Sequence, residues 1–160
     1  MLESISGDVS RQFSVSVKQR EGMLDISEFY DPARRQYDGS ALLRKIDRQF
    51  GSEGEMTLGL FSVDLFIPIL TYIFGQAYLN GHAGIVSVYR LSNERYGLQP
   101  DEEILKERLR KEVIHELGHM FGLIHCSDPL CVMRSSTYVE DIDQKSPNLC
   151  IKCSTAMKPI

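Results

Sequence analysis

From Pro100 to Phe121 apolar residues recur every three to four positions, at Ile104, Leu105, Leu109, Val113, Leu117 and Phe121, which predicts a long helix with one face to bury. Pro100 followed by Asp101, Glu102 and Glu103 suits its start, because proline needs no amide partner there and carboxylates favour the positive end of the helix dipole. The same spacing of Leu42, Leu43, Ile46 and Phe50 predicts a second helix over residues 38 to 50. The period changes to two at Phe13 to Lys18, FSVSVK, which predicts a strand, and the apolar segments around Met56 to Val63 and Tyr72 to Leu79 predict core strands. Asn80-Gly81 is a tight-turn signal ahead of a further strand over Gly84 to Leu91, the candidate for a sheet edge.

The most apolar window, Thr57 to Gly75, contains Asp64 and is divided by Pro68, so it reads as buried strands and not as a membrane span. With 160 residues, 42% of them hydrophobic, the chain has the material for one core and one domain. Within it, residues 1 to 121 would supply the sheet and long helix, and residues 122 to 160 a C-terminal part. A formal charge of -4 offers no basic field for nucleic acid or anionic lipid, so neither is expected as a partner. The N-terminal stretch MLESISGDVSRQFSV lacks a cationic start and an apolar run, which predicts a cytoplasmic protein. A monomer is the default expectation.

Chemistry concentrates at the end of the long helix. His115 and His119, four residues apart, lie about 40° apart in azimuth and roughly 6 Å apart along the axis, so both imidazoles can converge on one zinc. Glu116 points about 100° away from His115, beside the metal but outside its ligand shell, where a carboxylate can take a proton from bound water. The bland alternative is a polar helix with two unrelated histidines. The extended run HELGHMFGLIH, residues 115 to 125, makes that alternative rarer by requiring a glycine and a third histidine at fixed positions.

In an unbroken helix His125 would lie about 15 Å beyond His115, far outside a bond of about 2 Å to zinc. Gly122 sits where the chain must turn back, since it can adopt the positive φ that ends a helix. Three neutral imidazoles leave an open position on zinc and lower the pKa of bound water from roughly 15.7 towards about 7.

Four cysteines, Cys126, Cys131, Cys150 and Cys153, crowd the last 35 residues. A reducing compartment disfavours disulfides, which makes metal ligation the first alternative, with disulfides or a redox-active C-x-x-C pair still open at this point.

The long histidine motif and Met133 downstream resemble the metzincin metallopeptidases. Cys126 directly after the third histidine, Cys131 four intervening residues on, and the closing Cys150-Ile151-Lys152-Cys153 narrow the resemblance to the archaemetzincin family. It is strongest over residues 112 to 153 and extends upstream through Asp64-Leu65, Phe74-Gly75 and Ser87 to Leu91. The resemblance implies an α/β metzincin-like fold, a mixed twisted sheet whose antiparallel edge strand borders the cleft below the zinc helix. It implies two zinc ions per chain. One would be catalytic, on His115, His119 and His125 above a floor made by Met133, with Glu116 as base. The other would be structural, on Cys126, Cys131, Cys150 and Cys153, clipping down a mostly polar C-terminal stretch that burial alone would not order. A peptide or protein substrate follows, added to the sheet edge as an extra strand. The alternative is a zinc-stabilised peptide-binding protein with little turnover.

Three features carry no function in this reading: His82 as a solvated loop residue, Tyr138 as too far past Met133 to reach a metal, and Glu102 to Glu112 as a charged run on a solvated helix face.

Overall fold

A computed structural model of the chain describes residues 1 to 158. Both anticipated helices start at aspartate caps. Asp38 accepts from the Ala41 N–H at 3.0 Å ahead of α2 (Gly39–Phe50), and Asp101 accepts from the Glu103 and Ile104 N–H groups, each at 3.0 Å, ahead of α3 (Glu102–Met120). Such a cap contributes about 1 kcal/mol.

The strand expected at Phe13 to Lys18 does not form. Its first residue instead closes a helix, α1 (Leu2–Phe13), which ends at Ser14 with φ 56°. Ile5, Val9 and Phe13 stand four residues apart and are all buried, so a helical period in the preceding segment overrides the short alternation in FSVSVK.

The strands are β1 (Tyr30–Asp31), β2 (Gln36–Asp38), β3 (Thr57–Phe61), β4 (Leu65–Ile67), β5 (Leu70–Ile73), β6 (Gly75–Ala77) and β7 (Ala83–Ser87). They form two mixed sheets, ordered β1-β2-β4-β5 and β3-β7-β6, with parallel pairs β2/β4 and β3/β7 and antiparallel pairs elsewhere. The expected single strand Tyr72 to Leu79 is therefore two, β5 and β6, meeting at Phe74, whose carbonyl accepts from Ser87 N–H at 2.8 Å and links the sheets.

The expected edge over Gly84 to Leu91 is also corrected. β7 lies in the middle of its sheet, parallel to β3 and antiparallel to β6, and every one of its residues is buried. Ala83 and Ile85 pack with α2, while Val86 belongs to the core around α3, so β7 has no solvent face to reveal a period of two. The antiparallel edge strand is β6. Phe74 and Tyr78 bond to β7 on either side of it, and the alternation of an antiparallel ladder directs the N–H and C=O of Gly75 and Ala77 outward.

α3 has more than one buried face. From Arg108 to Met120 all but Arg110 and His119 are buried, because the helix is packed between β6 and β7 on one side and α1 and the C-terminal part on others. Arg108, Lys111 and Glu112 in the supposedly solvated charge run are therefore interior. Arg108 is saturated by Asp143, the Leu91 carbonyl and Asn93, and Lys111 donates to the carbonyls of Ile142 and Asp143, which ties α3 to α4 (Val139–Gln144). The C-terminal stretch likewise contributes Cys131, Val132, Met133, Val139 and Ile142 to the core, so burial helps to order it, contrary to expectation. α5 (Ile151–Ala156) completes the fold. Among the described residues no helix is long and apolar enough to cross a membrane.

Candidate metal centre and active-site cleft

The chain turns back after α3 through a glycine-ended helix cap. Gly122 has φ 86°, its N–H bonds to the His119 carbonyl at 2.9 Å, and the Leu123 N–H bonds to the Gly118 carbonyl at 2.9 Å. This is the pair of capping bonds by which a left-handed residue redirects a backbone, and it brings His125 alongside α3. One nitrogen from each of His115, His119 and His125 lies within 4.8 Å of the others. Ring centroids are 4.7 to 5.3 Å apart.

Backbone carbonyls set which nitrogens face inward. His115 Nδ1 lies 2.8 Å from the Val132 carbonyl oxygen and His119 Nδ1 lies 2.8 Å from that of Leu123. Each Nδ1–H donates outward, which leaves both Nε2 atoms as free bases, 3.1 Å apart. Two protonated or two N–H-bearing nitrogens would repel at that distance, whereas two tetrahedral ligands about 2.1 Å from zinc stand roughly 3.4 Å apart. Burial, with the Lys145 charge adding to it, holds the His115 imidazole well below its ordinary pKa, against the Val132 carbonyl bond. Burial also lowers His119 and His125. All three are poised as neutral ligands.

Met133 is fully buried beneath the histidines, and its sulfur occupies the space a side chain at Gly118 would need: a Cβ there would stand 2.3 Å from Sδ. Glu116 is 5% exposed and faces β6. Burial, reinforced by the nearby Glu112 charge, pushes its carboxyl well above the usual carboxylate range, while Lys145 opposes the shift.

The four cysteine sulfurs form a second group, again within 4.8 Å of one another. Cys126 Sγ and Cys150 Sγ are 3.8 Å apart, about the edge of a tetrahedron with Zn–S bonds near 2.3 Å. Backbone N–H groups of Asp128, Cys150 and Cys153 point at Sγ of Cys126, Cys131 and Cys150, at 3.5, 3.4 and 3.4 Å, as is usual for thiolate acceptors. The Cys153 N–H pulls the Cys150 thiol down, whereas burial pushes Cys131 and Cys153 up. Four thiolates this close need a cation, and the donor set is that of a closed zinc site. The thiols gather as one cluster and not as two bonded pairs.

A cleft of about 400 Å³ opens beside the histidines. One wall is β5 and β6, another is Ser135 to Tyr138, and Tyr72 Oη joins the two by donating to the Thr137 carbonyl at 2.9 Å. Tyr138 borders this cleft without joining the metal-binding group, and His82 is exposed in the turn before β7. The most buried residues of the lining, Glu112 (3% exposed) and Lys145 (2%), were not singled out from sequence. A signal existed for Glu112, which stands one helical turn before Glu116 on the same face. None existed for Lys145, which arrives from 33 residues beyond Glu112.

A buried three-histidine group on a long helix, a methionine floor and a four-thiol cluster on an α/β scaffold define a zinc metallopeptidase of the metzincin class. The model of peptidase family M54 matches residues 12 to 159. The archaemetzincin of Pyrococcus abyssi is 42% identical over 159 residues, covering 96% of this chain and 82% of its own. Two solved structures superpose closely. The archaemetzincin of Methanopyrus kandleri has a TM-score of 0.84 at 41% identity, over 96% of this chain and 82% of the other. A zinc-dependent peptidase of Methanocorpusculum labreanum has 0.82 at 31%, over 95% and 90%. The chain belongs to peptidase family M54, the archaemetzincins, and as such carries a catalytic and a structural zinc and acts on peptides or proteins.

Proposed function

We propose that His115, His119 and His125 hold the catalytic zinc, that Glu116 is the general base of peptide-bond hydrolysis, and that Cys126, Cys131, Cys150 and Cys153 hold the structural zinc. The observation that carries this reading is the buried Glu116 carboxylate beside three inward-facing neutral imidazoles in an open cleft. When bound, zinc supplies the Lewis acidity that makes water a nucleophile near neutral pH and polarises the scissile carbonyl.

A substrate strand adds to β6 through the outward N–H and C=O groups of Gly75 and Ala77, which align its scissile carbonyl along the cleft. Glu116 takes a proton from the attacking water and later delivers it to the leaving amine nitrogen. The raised proton affinity of this carboxyl suits both halves of that exchange. Met133 supports the histidines from beneath, its sulfur against Gly118.

Glu116→Gln keeps the shape of the side chain and removes the base. It should retain both zinc ions and lose turnover of a peptide substrate by about 10²- to 10⁴-fold. Undiminished turnover would reject the assignment, and tight peptide binding by the wild type without cleavage would favour a binding protein.

A further inference from the structure

The Glu112–Lys145 pair takes no part in the chemistry above, yet it lies in the same cleft and is poorly satisfied. Lys145 Nζ donates to the Arg134 carbonyl at 3.1 Å and stands 3.4 Å from Glu112 Oε1, a contact that attracts without making an aligned hydrogen bond. Among the described residues Glu112 Oε1 has no hydrogen-bond partner, and neither does Ser136 Oγ across the cleft lining. Two unpartnered buried polar atoms and an ammonium with hydrogens to spare, all facing one cavity, destabilise the empty protein unless something in the cavity partners them.

We infer that this end of the cleft is a specificity pocket for an uncharged amide side chain, asparagine or glutamine, in the substrate residue flanking the scissile bond. The inference rests on the peptidase reading and names what that site selects. A primary amide offers two N–H donors, suited to Glu112 Oε1 and Ser136 Oγ, and one carbonyl acceptor, suited to Lys145 Nζ. A cationic side chain meets Lys145 as well as the metal. An anionic one meets Glu112. An apolar one strips water from Glu112 and Ser136 and leaves both without partners, which is how polar pockets reject apolar competitors.

The test compares zinc-loaded wild type with two variants, Ser136→Ala and the apolar pair Glu112→Leu with Lys145→Met. One readout is cleavage of a synthetic peptide library with the new termini identified by mass spectrometry. The other is binding of two peptidyl hydroxamates that differ only in a glutamine or a leucine side chain. Wild type should prefer amide over leucine or phenylalanine at one position flanking the cut by at least about tenfold in both readouts. Ser136→Ala, which breaks no hydrogen bond within the protein, should lower the preference about threefold. The apolar pair, where it folds, should reverse it.

Cleavage with equal, apolar or charged preference overturns the pocket and leaves the peptidase reading intact. Absence of cleavage, with glutamine hydroxamate still bound at least tenfold tighter, overturns the peptidase reading and supports the pocket as a binding site. Absence of cleavage with equal hydroxamate binding overturns both.

Discussion

The Glu116 carboxylate lies against the backbone of Gly75: a Cβ at that glycine would stand 2.8 Å from Glu116 Oε1 and Cγ and 2.7 Å from the Ile85 carbonyl oxygen. The base is thus held between its own helix and the edge strand that borders the cleft, and the edge strand needs a residue without a side chain to let it in. Gly75→Ala cannot be absorbed by β7, whose backbone is in the middle of the sheet, so Glu116 must move. A displacement of about 1 Å at a base costs on the order of a hundredfold in rate. The expected result is a loss of kcat near that size with zinc content unchanged, measured by peptide hydrolysis and elemental analysis.

Gly118 and Met133 form a second tight contact, in which two opposing effects can be weighed. Alanine gains about 1 kcal/mol over glycine inside a helix. Overpacking a fully buried neighbour costs typically about 1 to 3 kcal/mol, and a Cβ 2.3 Å from Met133 Sδ lies at the severe end. Gly118→Ala should therefore destabilise the protein by roughly 1 to 2 kcal/mol in a denaturant titration. In a Met133→Ala background the same change should become neutral or stabilising, and the cycle of four proteins reads out the coupling directly.

The outward groups of β6 are tested by proline. Ala77 turns its N–H away from β7, so Ala77→Pro removes no ladder bond and is tolerated as proline is on other edge strands. It deletes a donor to a substrate strand. KM should rise by about tenfold, the size of a lost hydrogen bond, with the melting temperature little changed. An unchanged KM would contradict strand addition at this edge.

What was readable in the sequence was what short-range physics controls. Asp38 and Asp101 mark their helix starts because a cap needs only the next three residues, and Gly122 marks the return of the chain because positive φ selects glycine. The convergence of His115, His119 and His125 followed from those two facts. The strand order was not readable. β7 is buried on both faces and so looks like any apolar run, and its place between β3 and β6 depends on pairings across up to 26 residues, from Thr57 to Ala83. α1 was missed because the alternation in FSVSVK competed with Ile5, Val9 and Phe13 and was given the greater weight. The polar end of the cleft was missed for a related reason: on a helix rich in both charges, only tertiary packing tells a buried Glu112 from the exposed Glu102 and Glu103.

His125 and Cys126 are consecutive, so the catalytic ligand set and the thiol cluster share a backbone segment, further fixed by the Cys126 N–H bond to the Met133 carbonyl at 3.0 Å. The two zinc sites should be mechanically linked in one direction more than the other. Losing the thiol cluster loosens the loop that carries His125, whereas losing His125 leaves the cysteines in place.

The measurement that tests the account most directly is the zinc content of protein purified without added metal, by elemental analysis, in wild type, in His125→Ala and in Cys150→Ser with Cys153→Ser. Two zinc ions per wild-type chain are expected. His125→Ala should keep about one and lose turnover at nearly unchanged stability. The cysteine variant should lose at least one and melt about 10 °C or more lower, since a structural zinc contributes several kcal/mol to a domain of this size. A wild type with a single zinc that survives either change would contradict the two-site assignment.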